Sequence, residues 1–130
     1  LREPQVKFYG WLAMEELPAL TQQASIGLSL EDTESENTRF ALTNKFFDYI
    51  QARVPVLTYT GLVAQSQIVR AYGIGRLLEE RSPEALSQLI REMTEDAEQY
   101  HNYVQAMEPA ARELSWENQT ETIRGLYFDD

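Results

Sequence analysis

Thr43, Asn44, Lys45 and Asp48 are the residues of this chain best suited, by type and spacing, to hold a ligand. Thr43 and Asn44 are helix-capping types, and residues 44–54 behind them read as an amphipathic helix. Phe47, Ile50 and Val54 recur at helical spacing and predict a core face, which leaves Lys45 and Asp48 on the opposite side. The amino end of a helix offers free N–H groups and the positive pole of the dipole, so a phosphate is stabilised there. A lysine in the first turn adds charge, and a carboxylate one turn later can accept hydrogen bonds from ribose hydroxyls. The competing reading is an i,i+3 surface ion pair worth roughly 0.2–0.5 kcal/mol, with Thr43 and Asn44 acting as caps alone.

Three further places could join such a pocket. Arg39 contacts a phosphate of such a ligand, or is a solvated loop arginine. Gly61, at a predicted strand end, permits close ligand approach or simply turns the chain. Gly10 and Trp11 line a base pocket, or Trp11 is core. The lone histidine, His101, lies in a polar helical stretch and reads as a surface residue. With no cysteine and one histidine, neither a transition-metal site nor a disulfide is expected, and a reducing compartment fits. No nucleophile–histidine pair, P-loop or dinucleotide glycine fingerprint is found.

The elements that must position these residues alternate. Residues 5–10 read as a strand ending in a glycine turn. Residues 15–24 read as a helix with Leu17, Leu20 and Ala24 on one face and Pro18 in its first turn. Residues 25–30 read as a short, mostly buried strand, and the acidic residues 31–43 as a loop of a length usually functional or mobile. Pro55 ends the central helix, and residues 55–60 make the next strand. Residues 63–72 are helical, with Ala64, Ile68 and Ala71 inward and Gly73 as C-cap; residues 74–78 form a strand. Ser82-Pro83-Glu84 starts a helix whose buried face is Leu86, Leu89, Ile90 and Met93. A helix over residues 96–114 carries Tyr100, Tyr103, Val104 and Met107 and is kinked or divided by Pro109; Ser115 caps a last helix. Strands alternating with helices predict one α/β domain: a partial, Rossmann-like parallel sheet covered on both faces, with a helical C-terminal end.

Size and charge set the outer bounds. The chain has 130 residues, enough for one domain with a core, and no apolar run approaches the ~18 residues of a membrane span. Its opening residues do not read as a signal peptide. A formal net charge of −10 opposes nucleic-acid binding, which needs clustered lysine and arginine.

The order of Val6-Lys7-Phe8-Tyr9-Gly10, Glu15-Glu16-Leu17-Pro18 and Ala24-Ser25-Ile26-Gly27-Leu28 resembles the C-terminal half of retaining glycosyltransferases of the GT-B fold, group 1 type. Asn44-Lys45-Phe46-Phe47-Asp48-Tyr49-Ile50 followed by Val54-Pro55-Val56-Leu57 is similar to the NKLFEY…G-PV segment of that group. Ile68-Val69, Tyr72-Gly73-Ile74-Gly75, Ser82-Pro83-Glu84-Ala85-Leu86 and Ser115-Trp116-Glu117 continue it in order, so the resemblance covers almost the whole chain. It implies that Asp48 takes the place of the glutamate that binds the donor ribose, and that Thr43, Asn44 and Lys45 lie beside the diphosphate. It assigns no catalytic residue, no metal and no cofactor. The sequence departs from the group at Phe40, where many members have a glutamate touching the donor sugar, and at Arg53, where glycine is common. The group's earlier strands, with a glycine-rich turn and a basic phosphate ligand, do not precede Val6.

The resemblance therefore implies an N-terminally incomplete donor-binding domain over residues 1–130, part of a longer enzyme of surface-polysaccharide biosynthesis. Its partners would be a nucleotide-diphosphate sugar and an acceptor glycan or lipid-linked glycan held by an N-terminal domain. The implied location is cytoplasmic, with contact to the inner membrane supplied by other regions. The isolated chain is expected to be inactive and, with an open sheet edge, to self-associate. The alternative expectation is a non-catalytic α/β interaction or assembly module.

Overall fold

The computed structural model describes residues 8–10 and 15–115. Helix α1 (Leu17–Thr21) leads into strand β1 (Gly27–Ser29), followed by α2 (Glu36–Arg39), α3 (Asn44–Gln51), β2 (Val56–Tyr59), α4 (Val63–Tyr72), β3 (Gly75–Leu78), α5 (Pro83–Glu95) and α6 (Ala97–Glu113). The three strands are parallel and lie in the order β1-β2-β3. Gly27 pairs with Val56 and Ser29 with Thr58; Val56 pairs with Gly75 and Tyr59 with Leu78. Parallel neighbours require helical crossovers, which α3 and α4 provide. The fold is thus α/β and Rossmann-like, an open parallel sheet flanked by helices.

Burial explains why β2 is central. Val56 and Leu57 are both fully buried, and successive strand residues face opposite sides. On the Val56 side, Phe46, Phe47 and Ile50 of α3 and Ile68 and Val69 of α4 form one core; on the Leu57 side, Leu89 and Met93 of α5 form the other. α6 contributes to both, Met107, Ala110, Ala111 and Leu114 to the first and Tyr103 to the second.

Local chemistry fixes the element ends. Thr43 Oγ1 accepts from the Phe46 N–H at 3.2 Å and starts α3. Ser82 Oγ caps α5 from the Ala85 N–H at 3.1 Å, with Pro83 in the first turn. Gly73 closes α4 in the left-handed conformation, φ 70°. Arg53 adopts φ 61° after α3, an unusual conformation for a residue with a Cβ.

Several expectations are corrected. α3 ends at Gln51, so Val54, though buried, is not part of its face; the fully buried Phe46 is. The helix expected over 15–24 is only α1; Leu17 and Ala24 are exposed and Leu20 is half-buried, because so short an element covers little of the core. β1 is three residues long, and Leu28 is 38% exposed at the sheet edge. The loop at 31–43 contains α2, capped by Ser35. Ala71 is exposed and Val69 takes its place inside. Leu86 and Ile90 are half-buried rather than core. α6 runs unbroken through Pro109, since Met107, Ala110, Ala111 and Leu114 bury a continuous face on both sides of it. His101 is exposed. Phe8, Tyr9 and Gly10 are exposed and not in a strand; the rest of the strand expected at 5–10 and the last helix lie outside the described residues.

Candidate functional site

A parallel sheet sends every strand to the same side, so the segments leaving β1, β2 and β3 meet at one rim together with the amino ends of the returning helices. At this rim Lys45 Nζ lies 3.6 Å from Glu31 Oε1, with the lysine side chain 49% and the glutamate 24% exposed. The Glu31 carboxylate is also within 2.9 and 3.2 Å of Ser29 Oγ. Arg81 reaches across from beyond β3: its Nη2 donates to the Glu31 carbonyl at 2.9 Å and to Thr33 Oγ1 at 3.2 Å, and its guanidinium stacks 3.6 Å from the Tyr59 ring centroid. Residues 31–33 are thereby strapped over the end of β2, where a Cβ on Gly61 would stand 3.1 Å from Thr33 Cγ2.

Beneath the strap is a buried polar cluster. Ser29 and Thr58 are fully buried register partners, and Gln65 of α4 is 1% exposed. Ser29 Oγ lies 2.6 Å and Thr58 Oγ1 3.0 Å from Gln65 Oε1, while Gln65 Nε2 has no partner. A serine hydroxyl has one hydrogen, so Ser29 cannot donate to Glu31 and Gln65 at once. With the amide turned over, Gln65 Nε2 donates to both hydroxyls and Ser29 donates to Glu31.

Asp48 looks elsewhere. It is exposed and opens onto a cleft of about 210 Å³ lined by Leu17, Pro18, Thr21 and Gln22 on one side and Asp48, Gln51 and Ala52 on the other. Partial burial against this wall raises its carboxyl pKa. Next to it, the Tyr49 hydroxyl donates to the Leu28 carbonyl at 3.1 Å. The Tyr49 ring lies so close over Gly27 that a Cβ there would collide with it. Burial pushes the Tyr49 pKa up, helped by the charges of Glu31 and Asp48.

The four central candidates therefore share one helix but not one contact set. Thr43 is the cap, Asn44 is the exposed first residue of α3, Lys45 faces Glu31 rather than Asp48, and Asp48 faces the cleft beside α1. Arg39 closes α2, 3.8 Å from Glu36, with a buried Nε that lacks a partner. Gly61 packs against Thr33. Gly10 is exposed with φ 69° and nothing within 4 Å of the place a Cβ would take, and Trp11 lies outside the described residues. Sequence reading missed Glu31, Ser29, Thr58, Gln65 and Arg81. The available signal was a hydroxyl set into each of two apolar strands, Leu28-Ser29-Leu30 and Leu57-Thr58-Tyr59.

Among the described residues, no group of His, Asp or Glu is arranged to hold a metal ion, and no helix is long and apolar enough to cross a membrane. Comparison with family models, curated proteins and solved structures returned no match.

Proposed function

We propose that this chain is the donor-binding part of a retaining glycosyltransferase of the GT-B type, one that moves a sugar from a nucleotide-diphosphate sugar to an acceptor glycan in surface-polysaccharide assembly. The observation that carries this reading is the amino end of α3: exposed Asn44 and Lys45 stand at the carboxyl rim of a parallel sheet, one turn from Asp48 in a cleft. Ligands of open α/β sheets bind at that rim.

In this reading the pyrophosphate accepts from first-turn N–H groups of α3 and from Lys45 Nζ. The Asp48 carboxylate accepts from the ribose hydroxyls, and Leu17 and Pro18 flank the nucleoside. When the bond from the sugar's anomeric carbon to the phosphate oxygen breaks, negative charge grows on the departing diphosphate. Fixed N–H dipoles and Lys45 stabilise that charge without reorganising. The acceptor and the remaining half of the interdomain cleft belong to a preceding domain, so this chain binds donor without turnover.

The test is an NMR titration of the full chain with UDP and GDP. Shifts at residues 43–48 and at the α1 cleft are expected, and Lys45→Ala should remove them. Shifts confined to other surfaces overturn the site.

An α/β interaction module is the second reading, favoured by one observation: β1 is an edge strand among the described residues, and its Leu28 is 38% exposed. Concentration-dependent sedimentation with no nucleotide response would select it.

A further inference from the structure

We infer that residues 31–33 form an internal anion strap: the Glu31 carboxylate holds the anion position beside Lys45, and a ligand phosphate binds by displacing it. This rests on reading the amino end of α3 as the pyrophosphate site, and it adds the charge against which a ligand competes.

The strap is anchored through the Glu31 carbonyl and the Thr33 hydroxyl, while the Glu31 carboxylate is held separately, by Lys45 and by Ser29 Oγ. Arg81 holds the Glu31 carbonyl and the Thr33 hydroxyl, and neither contact involves the Glu31 side chain. The carboxylate meets Lys45 at 3.6 Å, longer than a good charge-assisted hydrogen bond, and the lysine is half in solvent. Such a pair is weak and readily exchanged. Glu31 can therefore swing away while Arg81 keeps the strap in place.

What makes the exchange two-state is the serine beneath. Ser29 has one hydrogen and two competing acceptors, the Glu31 carboxylate at 2.9 Å and the Gln65 amide oxygen at 2.6 Å. With Glu31 in place, the Gln65 amide satisfies the cluster by turning Nε2 towards Ser29 and Thr58. With Glu31 displaced, the hydrogen passes to Gln65 Oε1, which satisfies the hydroxyl but leaves the buried Gln65 Nε2 without a partner, so this second state is the costlier one and is reached when a ligand charge offsets that cost.

The consequence is a charge filter. A nucleoside brings nothing that competes with a carboxylate for Lys45, whereas a diphosphate brings more charge than Glu31 supplies. Among ligands of one base, the strap favours the diphosphate over the monophosphate and the free nucleoside.

Inorganic pyrophosphate is the probe, added to the full chain and followed by NMR and calorimetry. Glu31→Ala should bind it about three- to fivefold more tightly than the parent, the upper part of the range expected when one weak, half-solvated ion pair is lost. Glu31→Gln, which loses the charge but keeps a partner for Ser29, should move the same way. In the parent, pyrophosphate should shift the Gln65 side-chain amide, and Glu31→Ala should show that shifted position with no ligand present. Lys45→Ala should lose binding in both backgrounds. Equal or weaker pyrophosphate binding by the Glu31 variants, with residues 43–48 still responding, overturns the strap and leaves the site standing. An unmoved Gln65 amide in the ligand-bound parent does the same, even if a variant fails to fold. No response at 43–48 in any variant removes the site, and the strap with it.

Discussion

Among the described residues, α6 closes the sheet at the amino ends of the strands, whereas at the carboxyl ends loops, the four-residue helix α2 and polar side chains do so. The lower closure is apolar at its centre, with Met107, Ala110 and Leu114 buried, and hydrogen-bonded around its edge. Tyr100 Oη donates to the Ser25 carbonyl at 2.7 Å, Gln51 Nε2 to the Ala111 carbonyl at 3.0 Å, and Tyr72 Oη to Glu113 at 3.0 Å; Arg53 forks onto Glu108 at 3.0 and 3.3 Å. The upper closure consists of Lys45, Glu31, Arg81 and the Ser29–Thr58–Gln65 cluster. Apolar burial has no substitute in a ligand, but hydrogen bonds and ion pairs do, because a bound anion can replace a carboxylate partner for partner. One end of the sheet therefore carries stability and the other carries exchangeable chemistry.

The largest expected effect tests that division directly. Met107→Ala, at the centre of the lower closure, should cost about 2–5 kcal/mol in urea unfolding. Lys45→Ala and Glu31→Ala, at the upper rim, should each change stability by no more than roughly 0.5 kcal/mol. A rim substitution as costly as Met107→Ala would break the comparison. Thr43→Ala sits between: it removes the α3 cap and should cost about 1 kcal/mol, enough to show that even the start of α3 matters less to the fold than the face of α6.

The same division decides what could be read in advance. Capping residues act within a few positions, so the starts of α3 and α5 and the Gly73 stop were visible in the sequence and stand in the structure. The strands Val56–Tyr59 and Gly75–Leu78 were visible as short apolar runs after a proline or glycine. The inward face of α3 was misjudged because Arg53 takes a left-handed conformation that ends the helical spacing before Val54. Pro109 was overrated because local propensity is outweighed when one helix face is buried along its length. The partners at the rim had no local signature. Arg81 meets Glu31 across 50 positions and Gln65 meets Ser29 across 36, so only the closed sheet brings them together. Lys45 and Asp48 stand out in the sequence by charge and spacing alone, and their divergence, one towards Glu31 and one towards α1, depends on those distant segments.

A pH experiment sharpens the contrast from the lower end. Desolvation and the bond to Glu113 push the Tyr72 hydroxyl up to about 12, and burial also raises Tyr100. A group whose pKa is raised in the folded state contributes fully below its unfolded value and less as pH climbs towards the folded one. Stability should therefore be intact at pH 9 and fall between the ordinary tyrosine value of 10.0 and about 12. Thermal unfolding with tyrosinate absorbance would follow it. Tyr72→Phe should flatten part of that loss, and substitutions at the rim should leave it unchanged.

The smallest effect on stability is the most informative about function. Burial raises the Asp48 carboxyl above its ordinary 3.8, so the folded chain favours the neutral acid and holds the carboxylate at some cost near pH 7. By the same linkage, the parent's stability from this group is complete below the unfolded pKa and declines as pH rises through the folded one. Asp48→Asn carries no ionisable group, so its melting temperature should exceed the parent's slightly at pH 7. That difference should vanish below pH ~3, where both states of the parent are protonated. If the cleft holds ribose, the same substitution weakens UDP binding while leaving the pyrophosphate response at residues 43–48. A loss of stability at pH 7 would instead make Asp48 a structural residue of the cleft beside α1. A gain in stability with a loss of nucleotide affinity would mark a residue kept for binding at the expense of the fold.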